Sequence, residues 1–544
     1  MPNNPVFIQV ILPLRLEWEP YYLIEDGEPV RVGERVQVVF SGRRYIAVVS
    51  AVGVTPEEGI KIFKAQRTEH PPVGAEELAF WRSLSEYYLC EVGEVYKAVI
   101  PQQQLKTSKK AAQEPEECVP VSPGLPFPEK TLLLEGNSEQ RKAYYPDLIR
   151  QTLAAGRSVL YLVPEIGLSH QLEEQVKALF PQALTYHSAL TPARRRGVSE
   201  AVRKGGPSLV LGTRSALFLP YRNLGLIIVD DEQDPSYKQD SPAPRYHARE
   251  AAILLARTQS ARVVLGSANP SLESLYNAHN GLFERLRLPE TAPVEQLMVN
   301  VAAEIKKKGV SGNFSLKLLA EMHRCLDAGE KILLVCRSKM AIPEYTAELE
   351  SIFASRASQI ELCTPASAKG QPSGAFALVA ILQADHLLNK DDFRCDERAM
   401  QVLGQLRSRC APNGLLVIQT FEAGHPAFGP WNADTIGRLL AERRQFGYPP
   451  YTRLVDVIIR DQNESRLKGM SAALCKALRR ALPPAISPVG PFPSSAGSDV
   501  RTIRFSLPRD KALIPRKRLI YSTVLDFEKD GKYPAHIHMD VDPV

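Results

Sequence analysis

Short apolar runs alternate with amphipathic stretches through the middle of the chain. Helical spacing of the apolar residues predicts helices over 168–180, 192–204 and 245–259. The runs between them predict strands at Thr131–Gly136, Ser158–Pro164, Ala183–His187, Ser208–Thr213, Leu224–Asp230 and Arg262–Ala268. Because strands that alternate with helices build parallel sheets covered on both faces, residues 129–290 are predicted to form an α/β lobe.

The chain on the N-terminal side of this lobe has a different pattern. Two β-branched runs at Glu34–Phe40 and Arg43–Val49 are joined by Ser41-Gly42, which predicts a hairpin, and a helix is expected over Ala75–Leu89. We therefore expect a small β-rich domain at 1–101. Residues 102–128 are rich in Gln, Lys and Pro, which is typical of a linker.

A second α/β lobe, reduced in size, is predicted at 291–428. Its apolar runs predict strands at Lys331–Cys336, Phe376–Leu382 and Gly414–Thr420. The last unit, 429–544, has a predicted strand at Arg453–Arg460 and a predicted helix over 465–481, which indicates an α+β domain. The fold class is therefore α/β multidomain, with two parallel-sheet lobes between two smaller domains.

Composition narrows the class of protein. The 544 residues are 44% hydrophobic and 24% charged, with a net charge of +6, which suits a globular protein and is compatible with nucleic-acid binding. There is no run long enough for a transmembrane helix, and Met1-Pro-Asn-Asn-Pro5 does not resemble a signal peptide. The eight cysteines are scattered without any Cys-x-x-Cys pair, so we expect a reducing cytoplasm, no disulfide framework and no zinc.

The residues after the first strand of the lobe have the place and length of a phosphate-binding loop. Such a loop reads G-x-x-x-x-G-K-[ST], and its small residues let backbone N–H groups surround phosphates. In Gly136–Ala143 only Gly136 and Lys142 match that pattern. Arg141 stands at the second glycine, Ala143 replaces the hydroxyl residue, and Glu139 adds a negative charge. The sequence thus predicts a degenerate nucleotide site.

An acidic pair, Asp230-Asp231, follows the apolar run that begins at Leu224. In a Walker B strand the first carboxylate reaches Mg²⁺ and the second polarises the attacking water. The alternative interpretation is an acidic turn after a buried strand. Both interpretations are open at this point.

Cations and aromatic residues follow other strands of the same lobe. Arg214 lies in Gly212-Thr-Arg-Ser215, and Gly266-Ser-Ala-Asn-Pro270 follows the last strand; small residues there allow close approach of DNA phosphates. Tyr rings can stack on unpaired bases while Lys and Arg contact phosphates. That pattern makes four residues after the acidic pair candidate DNA contacts: Tyr237, Lys238, Arg245 and Tyr246. The alternative is an ordinary solvated loop.

The motifs, taken in order, resemble those of the PriA family of replication-restart helicases, also called primosomal protein N′. The resemblance covers most of the chain. It rests on Pro164–Leu168, His187-Ser188, Gly212–Ser215, the Asp230 block, Ser236–Gln239, Arg245–Arg249 and Gly266–Pro270, with flanking matches at Tyr87–Glu94, Glu442-Arg443, Tyr448–Pro450 and Asp540–Pro543.

The resemblance implies a domain that captures the 3′ end of a nascent strand, two helicase lobes and a C-terminal DNA-binding domain. By position, Gly42 and Lys64 match the 3′-end pocket, although Trp18–Tyr22 departs from the family's stretch there. The aromatic-rich loop, here Tyr237 to Tyr246, would couple single-strand binding to ATP use.

The departures from the family concern chemistry. The family's zinc cysteines are absent, and so is its winged-helix segment, where the 102–128 linker stands instead. Arg409 matches the first arginine of a helicase motif in the second lobe, and Pro412 replaces the second, whose charge would stabilise phosphoryl transfer. Asp231 replaces the longer Glu that positions water. We therefore interpret Asp230, Asp231 and Arg409 as candidate catalytic residues of a vestigial ATPase site.

Three hypotheses remain. The first is a PriA-like protein that binds forked or single-stranded DNA in replication restart and primosome assembly, with primosome proteins as further partners, no membrane and no efficient ATP hydrolysis. The second is an active ATP-dependent 3′–5′ helicase, for which ATP and Mg²⁺ would be cofactors. The third is a protein-interaction scaffold that has left DNA. His536 and His538 share one face of a predicted strand but lack a third metal ligand nearby.

Overall fold

The computed structural model describes residues 5–25, 27–56, 59–99, 130–165, 170–289, 293–388, 392–484, 486–494, 497–530 and 536–543. The predicted linker at 102–128 lies outside these residues, as do residues 166–168 of the Pro164–Leu168 motif.

The N-terminal unit is a six-stranded sheet with two helices, α1 (Ala75–Tyr88) and α2 (Val92–Val99). Its strands are β1 (Val6–Ile11), β2 (Tyr21–Ile24), β3 (Arg35–Phe40), β4 (Arg43–Val52), β5 (Phe63–Lys64) and β6 (Gln66–Arg67), in the order β5-β2-β1-β4-β3-β6. The predicted hairpin is confirmed: Ser41 and Gly42 join β3 to β4, with φ of 47° and 74°. Positive φ at both positions is what a two-residue hairpin turn requires.

The first lobe is a seven-stranded parallel sheet in the order β13-β7-β12-β11-β8-β10-β9. Its strands are β7 (Thr131–Glu135), β8 (Ser158–Leu162), β9 (Leu184–Tyr186), β10 (Leu209–Gly212), β11 (Leu224–Asp230), β12 (Arg262–Ser267) and β13 (Phe283–Arg287). All six predicted strands are confirmed; the central ones are nearly continuous buried apolar runs, and β9 is half-buried at the edge of the sheet.

Five helices pack on this sheet: α3 (Ser138–Ala154), α4 (His170–Leu179), α5 (Pro192–Arg203), α6 (Ala248–Gln259) and α7 (Leu272–His279). The sequence pattern does not predict α3, because the residues of its first turns have the length of a phosphate loop.

The second lobe has a five-stranded parallel sheet and a two-stranded hairpin, β15 (Val310–Ser311) with β16 (Phe314–Ser315). The sheet, in the order β14-β20-β19-β17-β18, contains β14 (Glu295–Asn300), β17 (Ile332–Val335), β18 (Ile360–Cys363), β19 (Phe376–Ile381) and β20 (Cys410–Thr420). Its helices are α8 (Val301–Lys306), α9 (Leu316–Asp327), α10 (Ile342–Phe353), α11 (Pro365–Ala368) and α12 (Cys395–Arg407).

The C-terminal unit is an antiparallel sheet in the order β22-β23-β21-β24. It comprises β21 (Thr452–Arg460), β22 (Val489–Ser494), β23 (Gly497–Pro508) and β24 (His536–Val541), with α13 (Ala433–Gln445) before it and α14 (Glu464–Ala481) and α15 (Leu513–Lys529) beside it. The predicted fold class, two parallel-sheet lobes with smaller β-rich and α+β units, is confirmed.

The two ends of the chain pack against each other and against the first lobe. Arg15 forms an ion pair with Glu528 at 2.8 Å, and Tyr521 donates a hydrogen bond to Glu91 at 2.7 Å. The rings of Trp81 and Tyr96 stack in a core that continues into the first lobe. Among the described residues no helix is both long and apolar enough to cross a membrane.

We predict opposite effects for two Gly→Ala substitutions inside helices. A Cβ on Gly93 in α2 would lie 2.2 Å from the carbonyl oxygens of Leu12 and Leu14, so Gly93→Ala should lower the free energy of unfolding by about 1–3 kcal/mol. Gly469 in α14 faces open space, and Gly469→Ala should raise it by about 0.5–1 kcal/mol. Chemical denaturation of both variants is the measurement; a neutral Gly93→Ala would contradict the close approach of α2 to the N-terminal segment.

Candidate functional site

The connection between β7 and α3 is a capped helix start, and the predicted open loop over Gly136–Ala143 is not found. Only Gly136 and Asn137 lie between the strand and the helix. Asn137 Oδ1 accepts a hydrogen bond from the Gln140 amide at 2.9 Å, and Gln140 Oε1 accepts one from the Asn137 amide at 3.0 Å. This reciprocal capping box satisfies N–H groups that a phosphate loop would direct at its ligand.

Winding of this segment into α3 turns Arg141 inward, and its side chain is 1% exposed. Its Nε lies 2.7 Å from Asp230 Oδ1, and its Nη2 lies 2.7 Å from Asp231 Oδ1. Its Nη1 donates to the carbonyl of Gly136 at 2.7 Å. One guanidinium therefore binds both carboxylates of the acidic pair and closes the strand-to-helix turn.

Tyr145, one helical turn after Arg141, completes the cluster. Its hydroxyl donates to Asp230 Oδ1 at 2.6 Å. Gly266 at the end of β12 provides the room, because a Cβ there would lie 1.8 Å from the Tyr145 hydroxyl and 2.9 Å from Asp230 Oδ1. Asp231 adopts a left-handed φ of 50°, uncommon for a non-glycine residue. We call Arg141, Tyr145, Asp230 and Asp231 the arginine-filled site.

Electrostatics favour the charged form of Arg141. Burial opposes this charge, but Asp230 and Asp231 outweigh it and raise the pKa of the guanidinium well above its ordinary value. The pKa of the Asp231 carboxyl is raised, because burial and the neighbouring Asp230 outweigh the opposing effect of Arg141. A fixed organic cation thus stands beside the carboxylates that would be the protein ligands of Mg²⁺.

The two matches to the phosphate-loop pattern do not form a phosphate site. Lys142 lies on the outer surface of α3, with its ammonium 3.6 Å from Glu139. Gly136 is covered by Leu288, whose Cδ1 would be 2.8 Å from a Cβ at that position.

Arg409, the candidate arginine of the second lobe, is bound within its own lobe. It donates to the Ser373 hydroxyl at 2.7 Å and to the Lys369 carbonyl at 3.2 Å. Burial lowers the pKa of its guanidinium, while the charges of Asp231 and Glu139 across the cleft act to raise it. Neither Asp230 nor Asp231 is among its hydrogen-bond partners in the part of the chain that the structure describes.

The two lobes are nevertheless joined across the cleft by polar contacts that the sequence did not predict. Lys369 pairs with the buried Asp234, and Arg394 pairs with Glu273 at 3.3 Å. In addition, the amide of Leu272 donates to Glu397 at 2.9 Å.

Glu232, the next residue of the acidic motif, is buried and accepts hydrogen bonds from neighbouring elements. It is 0% exposed and accepts hydrogen bonds from Arg249 Nη1 at 2.8 Å and from the Ser271 amide at 2.7 Å. Gln233 accepts one from Ser267 at 2.6 Å. The acidic motif is thereby fastened to α6 and to the end of β12.

The predicted aromatic loop lies largely inside the protein, contrary to the solvent-facing arrangement that base stacking requires. Tyr237 is 1% exposed and donates to the carbonyl of Asp230 at 2.7 Å. Tyr246 is 2% exposed, and its ring packs edge-on against Phe218. The rings pack here because they fill the junction between the first lobe and the N-terminal helices.

Lys238 of this loop and Arg214, which contacts the loop, both donate hydrogen bonds within the protein. Lys238 Nζ donates to Asp540 and to the carbonyls of Val541 and Arg245, all within 2.8 Å. Arg214 donates to the carbonyls of Ser236 and Lys238 at 2.8 and 2.6 Å, and the Arg245 side chain is half-buried. The loop is fixed by backbone acceptors and by the last strand.

The residues matched to the 3′-end pocket remain on the surface. Gly42 lies at the exposed β3–β4 turn, and Lys64 is exposed and paired with Glu25. The exposed ring of Trp18 lies 6.2 Å from the ring of Phe40, beside that turn.

The histidine pair has no metal-site geometry. Burial, with Arg245 and Arg460 nearby, lowers the pKa of His538 to about 4. No group of three or more His, Cys, Asp or Glu side chains that could hold a metal ion occurs within the described ranges.

Sequence reasoning missed Arg141 and Tyr145 as partners of the acidic pair. The available signal was their i, i+4 spacing, which puts both on one face of a helix, together with Asn137 and Gln140 at capping-box spacing. Lys369 and Glu397 carried no local signal, because their partners lie in the other lobe.

Two family models match this chain. One describes the PriA 3'DNA-binding domain (3'BD) and matches residues 9–101, and the other describes DEAD/DEAH box helicases and matches residues 143–278.

Proteins similar to the chain along its length are named replication restart protein PriA. That of Rickettsia prowazekii is 23% identical and covers 98% of this chain and 99% of its own length. That of Haemophilus influenzae is 26% identical over 76% of this chain and 69% of its own. The chain is thus PriA-like in sequence.

Among solved structures, RecG bound to a three-way DNA junction aligns with a TM-score of 0.34 and 14% identity, over 57% of this chain and 41% of RecG. The Mycobacterium smegmatis helicase Lhr bound to single-stranded DNA and AMP-PNP aligns with a TM-score of 0.38 and 14% identity, over 66% and 50% of the two chains.

We predict that Arg141→Ala lowers the free energy of unfolding by about 3–5 kcal/mol, because it leaves the buried Asp230 and the half-buried Asp231 without their cation. Arg150→Ala on the exposed side of α3, which breaks a surface pair with Asp147 at 2.8 Å, should cost less than about 1 kcal/mol. Chemical denaturation provides both values.

A triple variant tests the cause. Arg141→Met with Asp230→Asn and Asp231→Asn removes all three charges and should recover most of the loss. If Arg141→Ala costs no more than Arg150→Ala, the ion pairs of the arginine-filled site do not stabilise the fold.

Proposed function

We propose that this PriA-like chain binds forked or single-stranded DNA in replication restart and primosome assembly, and that it does so without efficient ATP hydrolysis. The observation that carries the proposal is the Arg141 guanidinium, 2.7 Å from both Asp230 and Asp231. It stands where the acidic pair of a helicase would hold Mg²⁺ and orient water.

Entry of Mg²⁺ with a nucleotide would require Arg141 to leave. Removing the guanidinium from the buried Asp230 and the half-buried Asp231 costs several kcal/mol before any new ligand is bound. Tyr145 occupies Asp230 Oδ1 as well, so both directions of approach to that oxygen are already filled.

The other parts of a phosphoryl-transfer site are equally unsuited. The helix start is capped by Asn137 and Gln140, and Ala143 lacks the hydroxyl that would bind the metal. Arg409 is tied to Ser373, and Pro412 stands at the position of the second arginine. Altered residues at several contributing positions are what we expect once hydrolysis is no longer used.

The arrangement of the lobes supports a static DNA-binding body. A motor opens and closes its cleft as nucleotide is bound and released. Here the contacts across the cleft are made by protein groups, Lys369 with Asp234 and Arg394 with Glu273. DNA affinity should therefore not depend on a nucleotide.

DNA as the partner is supported from the N-terminal side. The match to the 3′ DNA-binding domain model spans residues 9–101, and the positions expected in its pocket, Gly42 and Lys64, are exposed. The relatives that match most of this chain's length are named for replication restart. The net charge of +6 favours association with polyanions.

We predict no DNA-stimulated ATP hydrolysis on a forked substrate with a free 3′ end, above a reaction without protein. The dissociation constant for the same fork should change less than about twofold on addition of ATP and Mg²⁺, while rising steeply with salt. Fluorescence anisotropy and phosphate release provide the two measurements.

Lys142→Ala separates the alternatives. Because Lys142 is on the outer surface of α3, the variant should behave as the wild type in both assays. DNA-stimulated turnover that disappears in Lys142→Ala would identify an active helicase and overturn the proposal. Absence of any DNA binding at low salt would instead identify a protein-interaction scaffold.

A further inference from the structure

Three consecutive arginines, Arg194, Arg195 and Arg196, lie in the first turns of α5. The helix follows β9, so these side chains are at the carboxyl edge of the first sheet. Asp230, at the end of β11, and Arg214, directly after β10, lie at the same edge. We call Arg194–Arg196 the arginine face.

The arginine face is exposed and not neutralised. Arg194 and Arg196 are exposed and Arg195 is half-buried. No carboxylate in the described ranges lies within ion-pair distance of any of the three, and the first turn of α5 has no acidic residue. By contrast, Lys177 on the neighbouring helix α4 is paired with Glu173.

The position is unfavourable for helix stability. The start of a helix carries partial positive charge, so cations there are disfavoured and acidic residues are preferred. Arg194 to Arg196 reverse that preference without any compensating partner. Since the arrangement does not stabilise α5, a ligand with negative charge gives the three arginines a physical role.

The arginine face follows β9, which pairs with β10 at the same edge of the sheet. Burial raises the pKa of Tyr186 at the end of β9, and Arg195 acts to lower it. In the sheet, Tyr186 is the register partner of Gly212 in β10, and Arg214, paired with Glu165 at 3.6 Å, follows two residues after Gly212. The arginine face therefore begins beside the ends of β9 and β10, on the side open to solvent.

We infer that the arginine face binds the backbone phosphates of a DNA strand. Arginine presents several N–H donors in a planar fork that matches phosphate oxygens, and such contacts position a protein on DNA without reading sequence. This inference rests on the proposed function and names the surface of the first lobe that carries it. It adds a contact region separate from the N-terminal residues Gly42 and Lys64.

The test uses the full chain with Arg194→Gln and Arg196→Gln combined, both at exposed positions. The control combines Lys204→Gln and Arg257→Gln, two exposed cations of the same lobe that lie at the opposite edge of the sheet. Both variants lose two positive charges, so they have the same net charge. Circular dichroism and thermal unfolding check that each is folded.

The measured quantity is the slope of the logarithm of the fork association constant against the logarithm of salt concentration. Each phosphate contact contributes about 0.9 to that slope, so the arginine-face variant should lose roughly 2 and the control should match the wild type. The loss should be the same for forks of unrelated sequence.

Two other outcomes have different meanings. Wild-type binding with equal slopes in all three proteins, or equal losses in the two variants, overturns the arginine face as a contact surface and leaves the proposed function intact. Failure of the wild type itself to bind DNA overturns both.

Discussion

The ion pairs of Arg141 with Asp230 and Asp231 are the interaction on which the carboxyl edge of the first sheet depends. They tie α3 to the end of β11. Asp230 also contacts Tyr237, because its backbone carbonyl accepts a hydrogen bond from the Tyr237 hydroxyl. In nucleotide-binding sheets this edge is an open ligand site. Here protein side chains occupy it, and Gly266 leaves the space that the Tyr145 hydroxyl needs.

This arrangement accords with the proposal that hydrolysis is no longer used. With Arg141 bound to both carboxylates, that proposal leaves a hydroxyl at position 143 without a metal to hold and an arginine of the second lobe without phosphoryl charge to stabilise. Arg409 donates its hydrogen bonds within its own lobe. Glu232 and Arg249 keep their buried pair, since that pair supports packing rather than chemistry.

Much of the fold could be predicted because buried parallel strands are nearly continuous apolar runs, as in β8 and β11. The start of α3 could not be predicted. Asn137 and Gln140 have the spacing of a capping box, but they lie within a segment that also has the length of a phosphate loop, and only tertiary packing decides between the two structures. Burial of Tyr237 and Lys238 was equally inaccessible. Alternating aromatics and cations describe a DNA-binding loop and an interdomain junction equally well, and the deciding partner, Asp540, is 302 residues away.

The 302-residue separation of Lys238 from Asp540 affects how the chain folds during its synthesis. During synthesis the loop around Lys238 leaves the ribosome long before β24, so the Lys238 ammonium lacks its carboxylate until β24 has been made. The first lobe can form its sheet early, yet the junction that fixes the loop closes only when Asp540 and Val541 arrive. A polypeptide that lacks β24 would therefore leave this junction open and expose its apolar side chains, and exposed apolar surface is what chaperones bind.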